Sequence, residues 1–267
     1  MELSVSLGNK AKQYRRELFE KFLLTGQGHP GSTFSMLEIV VCLYHRGYVR
    51  LYEDSKTFID KVLISKGHAT VALYPILADL GVLPMSEWHD WGNGSSVLRV
   101  FGNLSIPGID MTSGSLGHGV GVGVGMAIAN RASGSDSHTY VIISEGELYE
   151  GSTWEAGIMA SHYSLGNLTV IVDVNSLIIL GTTSECLQLE SIEAKFAALG
   201  FNVLTVDGHS FTELEDALSS PNGMKPKCII ARTVKGKGFS MMENQPQWHY
   251  WNSLTEEQIS TCRREIA

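Results

Sequence analysis

An α/β fold, with a mostly parallel sheet and helices on both of its faces, is predicted by two features of the chain. Apolar runs with β-branched residues recur at Val62–Ser65, Thr139–Ser144, Leu168–Val174, Asn202–Val206 and Cys228–Thr233. Helical stretches separate them, and strands that alternate with helices build parallel crossovers. At 267 residues the chain is long enough for a sizeable core, and α/β units of this length often form one domain. Residues 1–267 are therefore read as a single domain.

Taken in order, residues from about Asn9 to Leu24 mix charged and apolar groups at helical spacing. Phe34–Leu43 reads as a second helix. Val62–Ser65 is a short buried strand, and Ala69–Leu80 a helix stopped by Gly81. Trp88–Ile109 is rich in Gly, Ser and Asn and reads as an ordered loop. Leu116–Arg131 reads as a helix despite its glycines. Helices are also expected near Thr153–His162, Ile192–Leu199 and Thr212–Leu218, between the later strands. Thr255-Glu256-Glu257-Gln258 is a capping box that opens a terminal helix.

A hydrophobic content of 43% with 18% charged residues is ordinary for a soluble globular protein. The net charge of −8 argues against a general nucleic-acid or anionic-membrane surface but leaves room for a local cationic pocket. No apolar run approaches the ~18 residues of a spanning helix. The N-terminal residues carry charges where a signal peptide needs an apolar core. A cytoplasmic protein with no membrane or nucleic-acid partner is expected. Cys42, Cys186, Cys228 and Cys262 are scattered and read as reduced packing residues rather than as disulfides or a zinc site.

The chemistry concentrates where two of the strands end. Thr139–Ser144 runs into Glu145-Gly146, and Leu168–Val174 runs into Asn175-Ser176-Leu177. A carboxylate and an amide at the ends of two parallel strands can meet where open α/β sheets bind ligands. A carboxylate, an Asn oxygen and a backbone carbonyl are hard ligands of the kind Mg²⁺ or Ca²⁺ prefers. The Gly114–Gly125 run, GSLGHGVGVGVG, admits close backbone approach and ends in a helix N-terminus. It serves a phosphate, close helix packing, or both. A divalent cation held together with a diphosphate is the starting hypothesis.

The segment from Ser144 to Leu177 resembles the thiamine diphosphate signature of transketolases, in which GDG, a helix and a strand-closing Asn follow one another. GHPGS at Gly28–Ser32, SKGHA at Ser65–Ala69, TSGSLGHG at Thr112–Gly119, DGH at Asp207–His209, TVKGKG at Thr233–Gly238 and the Trp248-His249 pair follow in the family's order. The resemblance implies Glu145, Asn175 and the Leu177 carbonyl as ligands of Mg²⁺, or of Ca²⁺ or Mn²⁺. It implies that thiamine diphosphate meets His68, Ser115, Leu116, Gly117, His118, Gly146, Glu147, Asn175 and His249. It also implies that His29 and His249 face substrate, and that Glu150, with Glu155, joins a carboxylate network between two thiamine sites. Alone, either glutamate reads equally as an exposed helix-start residue.

This sequence departs from the family at two places. Glu145 replaces the Asp of GDG; it is longer by about 1.5 Å, whereas Mg²⁺ holds its ligands at about 2.0–2.1 Å. The family's GHP histidine, which bonds the hydroxymethyl end of a ketose donor, has no counterpart between His89 and His118. Phe101 aligns with it, or Asn103 if the alignment shifts. A site that has lost a hydroxyl donor and gained an apolar ring points to an acetyl-type donor such as pyruvate.

The family's activating glutamate and its acceptor-phosphate residues lie in a pyrimidine-binding domain that this sequence does not contain. Transketolases also occur as two chains, and the length here resembles the N-terminal subunit. The resemblance thus implies a partner chain with the pyrimidine-binding and C-terminal domains, and two copies of each chain. The expected activity passes a ketol or acetyl unit from a ketone donor to an aldehyde or ketone acceptor. The alternatives are one chain of an ordinary sugar-phosphate transketolase and a non-catalytic scaffold of the same fold.

Overall fold

The computed structural model describes residues 2–53 and 57–267. Five parallel strands form the central sheet: β1 (Lys61–Ile64), β2 (Thr139–Ser144), β3 (Leu168–Val174), β6 (Asn202–Asp207) and β7 (Lys227–Arg232). They lie in the order β1-β2-β3-β7-β6. Between β3 and β6 the chain forms a separate antiparallel hairpin, β4 (Leu177–Ile178) and β5 (Gly181–Thr182). The mostly parallel sheet of the α/β expectation is present.

Both faces of the sheet are covered, and the strand side chains show it. Tyr140 and Ile142 of β2 join one apolar cluster, with Phe19, Phe22, Phe34 and Leu37. Val141 and Ile143, one residue out of phase, join another with Val124, Ala160 and Phe196. Alternate side chains of a strand point to opposite faces, so each face buries its own core.

The first cluster is built with α1 (Glu2–Thr25), α2 (Pro30–Ser35), α3 (Leu37–His45) and α4 (Tyr74–Asp79). After α5 (Met85–His89), α6 (Gly119–Ala132) and α7 (Gly151–His162) cover the other face. Later come α8 (Thr183–Cys186), α9 (Ile192–Ala198), α10 (Phe211–Ser219) and α11 (Glu256–Glu265).

Several details differ from the sequence expectations. The expected Phe34–Leu43 helix is two helices that break at Met36, and Ala69–Leu80 begins as a 3₁₀ turn over Gly67–Leu73. The hairpin and α8 were not foreseen. The capping box at Thr255 forms in both directions: Gln258 N–H donates to Thr255 Oγ1, and Thr255 N–H to Gln258 Oε1. In α6 the glycines divide by face. A Cβ on Gly119 or Gly123 would run into Ser65 or Val141, whereas Gly121 and Gly125 have open space. No helix among the described residues is long and apolar enough to cross a membrane.

Candidate active site

A cavity of about 350 Å³ opens at the carboxyl ends of β1, β2, β3 and β7. Ligands of open α/β sheets bind at this edge. Each strand delivers residues through the turn that follows it. Lys66 and His68 follow β1, Glu145 and Gly146 follow β2, Asn175 and Leu177 follow β3, and Lys235 follows β7. The first turn of α2 adds Ser32, and the turn after Pro246 adds His249 and Tyr250.

The floor is a buried ion pair. Lys66 donates to Asp173 Oδ2 and to the Ser32 carbonyl, and neither charged side chain is exposed. Burial alone would raise the Asp173 pKa. Lys66, with the hydroxyls of Ser35 and Thr233, outweighs it and holds the carboxyl below its usual range. An unpaired buried charge is costly, and here each charge finds its partner inside the network.

Lys235 faces the cavity differently. Among the described residues its Nζ reaches the Leu177 carbonyl at 3.4 Å and His249 Nδ1 at 3.2 Å. Burial lowers its pKa to about 8, so it remains mostly cationic at pH 7. Gly31 admits it: a Cβ there would lie 3.0 Å from Lys235 Cγ. An ammonium without a carboxylate partner is the group an anionic ligand would meet.

The three implied histidines come together. The His29 and His68 ring centroids are 5.0 Å apart, and His249 lies 5.4 Å from His29 and 5.5 Å from His68. Burial, with Lys235 nearby, lowers the pKa of His29 and His249 to about 4; burial and His29 push His68 well below its ordinary value. All three are neutral at pH 7 and can each donate one N–H. His68 Nε2 meets Ser32 Oγ at 3.0 Å, whereas His29 Nδ1 is buried without a partner among the described residues. Buried polar atoms are seldom left unpaired, and His29 itself does not line the cavity. Phe101 lies 6.0 Å from the His29 ring, edge to face. Asn103 instead turns to Ser105. Of the two, Phe101 is the side chain beside His29.

Glu145, Asn175 and Leu177 border the same cavity. The Glu145 carboxylate accepts from Ser176 N–H at 2.7 Å and from the Thr183 hydroxyl at 2.9 Å. Burial raises its pKa, and these two bonds offset part of that. Asn175 Oδ1 accepts from Leu177 N–H at 3.2 Å. Each of these oxygens keeps a second lone pair. Among the described residues no three His, Cys, Asp or Glu side chains gather to hold a metal. The donor set is one carboxylate, one amide oxygen and one carbonyl, which fits a hard divalent cation whose remaining ligands would come from a phosphate and water.

Other implied residues stand elsewhere. Glu147 is fully buried and accepts from Ser65 Oγ, Gly117 N–H and Ser144 N–H. Within this chain it braces the loops and does not line the cavity. Gly117 spends its N–H on that brace. Gly119, at the start of α6, spends its own on Ser65 Oγ. The glycine loop therefore touches the cavity through Leu116, while Ser115 and His118 are exposed and do not line it. Glu150 and Glu155 are also exposed, beside or on α7, and within this chain Glu150 does not meet the histidines or line the cavity. Lys66, Asp173 and Lys235 were not singled out from sequence, although Lys66 and Lys235 lie within the SKGHA and TVKGKG segments.

Comparison with known proteins identifies the family. The family model described as "Transketolase, thiamine diphosphate binding domain" matches residues 13–267. The chain is 36% identical over 265 residues to a subunit of the apulose-4-phosphate transketolase of Phocaeicola vulgatus, covering 97% of this chain and 92% of that one. It is 34% identical to the SqwG subunit of the 6-deoxy-6-sulfo-D-fructose transketolase of a Clostridium species, covering 99% and 98%. The crystal structure of transketolase from Campylobacter jejuni superposes with a TM-score of 0.86 at 26% identity, covering 100% of this chain but 43% of that one. The chain belongs to the transketolase family, as its thiamine diphosphate-binding domain.

Proposed function

We propose that this protein is the diphosphate-binding subunit of a two-chain, thiamine diphosphate-dependent transketolase. The observation that carries the reading is one of length. The chain matches relatives named as subunits almost end to end, yet spans 43% of the Campylobacter jejuni transketolase. A second chain would supply the pyrimidine-binding half, and two copies of each would form the cytoplasmic enzyme. Gly121, Val122 and Gly125 of α6, with Ile158 and Met159 of α7, offer an exposed small and apolar face that suits such an assembly.

Thiamine diphosphate, when bound, supplies the electron sink for breaking a carbon–carbon bond beside a carbonyl. This chain's residues would do the rest of the holding. Lys235 and neutral His68 would meet the diphosphate oxygens. Glu145, Asn175 and the Leu177 carbonyl would hold Mg²⁺. An ammonium has no lone pair to accept with, so His249 Nδ1 accepts from Lys235 and its proton sits on Nε2, free to donate to a ligand oxygen. His29, packed against His68 and His249, would help to set the substrate side of the site.

Substrates are a ketone donor and an aldehyde or ketone acceptor. Phe101 beside His29 favours an acetyl-type donor such as pyruvate over a hydroxymethyl ketose. The test is calorimetric titration of the two-chain complex with thiamine diphosphate and Mg²⁺. Tight, metal-dependent binding that Asn175→Ala removes is expected; binding indifferent to metal and to Asn175 would overturn the reading.

A further inference from the structure

The β4–β5 hairpin forms one wall of the cavity through Leu177, Ile178 and Ile179. Its ladder has two residue pairs, Leu177↔Thr182 and Ile178↔Gly181, and an isolated hairpin of that size does not hold itself together. Its tip is apolar, with Leu180 81% exposed. Something else must set its position.

Both ends of the hairpin are tied to one carboxylate. Ser176, just before β4, donates its N–H to Glu145 Oε2 at 2.7 Å. Thr183, just after β5, donates its hydroxyl to Oε1 at 2.9 Å. Thr183 N–H also donates to the Ser176 carbonyl at 3.1 Å, which closes the neck. Ser176 has φ +61°, a left-handed turn that aims its N–H at Glu145. The carboxylate and Thr183 are buried. Glu145 also stands in the wall between the main cavity and a second one of about 250 Å³, which Thr183, Ser184 and Arg232 help to line.

We infer that Glu145 and Thr183 form a clasp that sets the β4–β5 hairpin, and with it the Leu177 carbonyl, over the cavity before any ligand arrives. An aspartate, shorter by about 1.5 Å, would not keep both the Ser176 and the Thr183 bonds at these lengths. The length of the glutamate is thus matched to the neck of the hairpin. One carboxylate lone pair per oxygen serves the clasp and the other stays open to a cation. Glu145 is in this sense a positioning residue. The geometry of the clasp stands by itself; its consequence for the cofactor rests on the proposed diphosphate site.

The test is amide hydrogen exchange of residues 177–182 in the full chain, with chelator and without cofactor, where a metal role is silent. Thr183→Val keeps the shape and removes the hydroxyl. It should speed exchange in the hairpin about tenfold while β2 and β3 stay protected. Thr183→Ser should restore protection, and Glu145→Asp should resemble Thr183→Val. In the two-chain complex, Thr183→Val should weaken thiamine diphosphate binding about tenfold, with Thr183→Ser near wild type. Unchanged hairpin exchange in both Thr183→Val and Glu145→Asp would overturn the clasp. A hairpin that loosens in a complex whose wild type binds no thiamine diphosphate would uphold the clasp and overturn the cofactor reading instead.

Discussion

The Nζ of Lys235 lies 3.2 Å from Nδ1 of His249. Lys66, the other lysine of the cavity, is consumed by Asp173, so Lys235 is the cation offered to an anionic ligand. Its replacement by Met keeps most of the apolar stem and removes the charge. Hydrogen bonds to charged groups contribute about 1.5–3 kcal/mol. Lys235→Met should therefore weaken thiamine diphosphate binding about ten- to a hundredfold in the two-chain complex. Calorimetry measures it, and an unchanged Kd would remove Lys235 from the site.

Glu147 should matter for stability rather than for ligand contact. Its carboxylate accepts from Ser65, Gly117 and Ser144, and its side chain is fully buried. Glu147→Ala leaves those donors unpaired, at about 1–3 kcal/mol for each group left unsatisfied. A lowered denaturation midpoint in the chain without cofactor is expected. A stable variant that merely loses cofactor affinity would restore Glu147 to the binding set.

The folded chain should lose stability in mild acid. His138 is held near pKa 4, mainly by burial, and its Nε2 meets Thr169 Oγ1 at 2.9 Å. An unfolded His titrates near 6.5. Between those values the unfolded state binds the proton and the folded state does not, so stability falls as pH falls through 6.5 toward 4. His138 alone should contribute a loss on the order of 1–2 kcal/mol between pH 7 and pH 5. Denaturant titrations at the two pH values measure it, and His138→Gln should flatten the slope.

How far the sequence reached follows from local signal. β2 and β3 begin and end where their apolar runs do. The histidines were legible because each sits in a recognisable motif. The β4–β5 hairpin and α8 were not, because two-residue strands and a four-residue helix carry no period. Nor could sequence tell that Glu147, two residues from Glu145, turns the opposite way: that depends on Ser65 and Gly117, distant in the chain. Lys235 was hidden for a similar reason. Its role comes from meeting His249 and Leu177 across three separate turns.

Phe101 should govern the donor. It is the ring beside His29, 40% exposed toward solvent, at a position where a hydroxyl-binding histidine is absent. Phe101 offers no donor to the hydroxyl of a hydroxymethyl ketose, and a hydroxyl left unpaired once the partner chain closes the site would cost about 1–3 kcal/mol. Pyruvate should be preferred to hydroxypyruvate and to xylulose 5-phosphate in the two-chain enzyme, about tenfold or more in kcat/KM. Phe101→His should shift the preference toward the hydroxylated donors. A wild-type preference for those donors would return the chain to ordinary sugar-phosphate chemistry.

Holding half of each cofactor site, this chain should work only with a partner chain. Turnover by each purified chain, and by their equimolar mixture, tests it most directly when thiamine diphosphate, Mg²⁺ and both donor types are present. The account predicts no turnover from either chain by itself and activity that saturates at one partner per copy of this chain. Full turnover from this chain alone would contradict it.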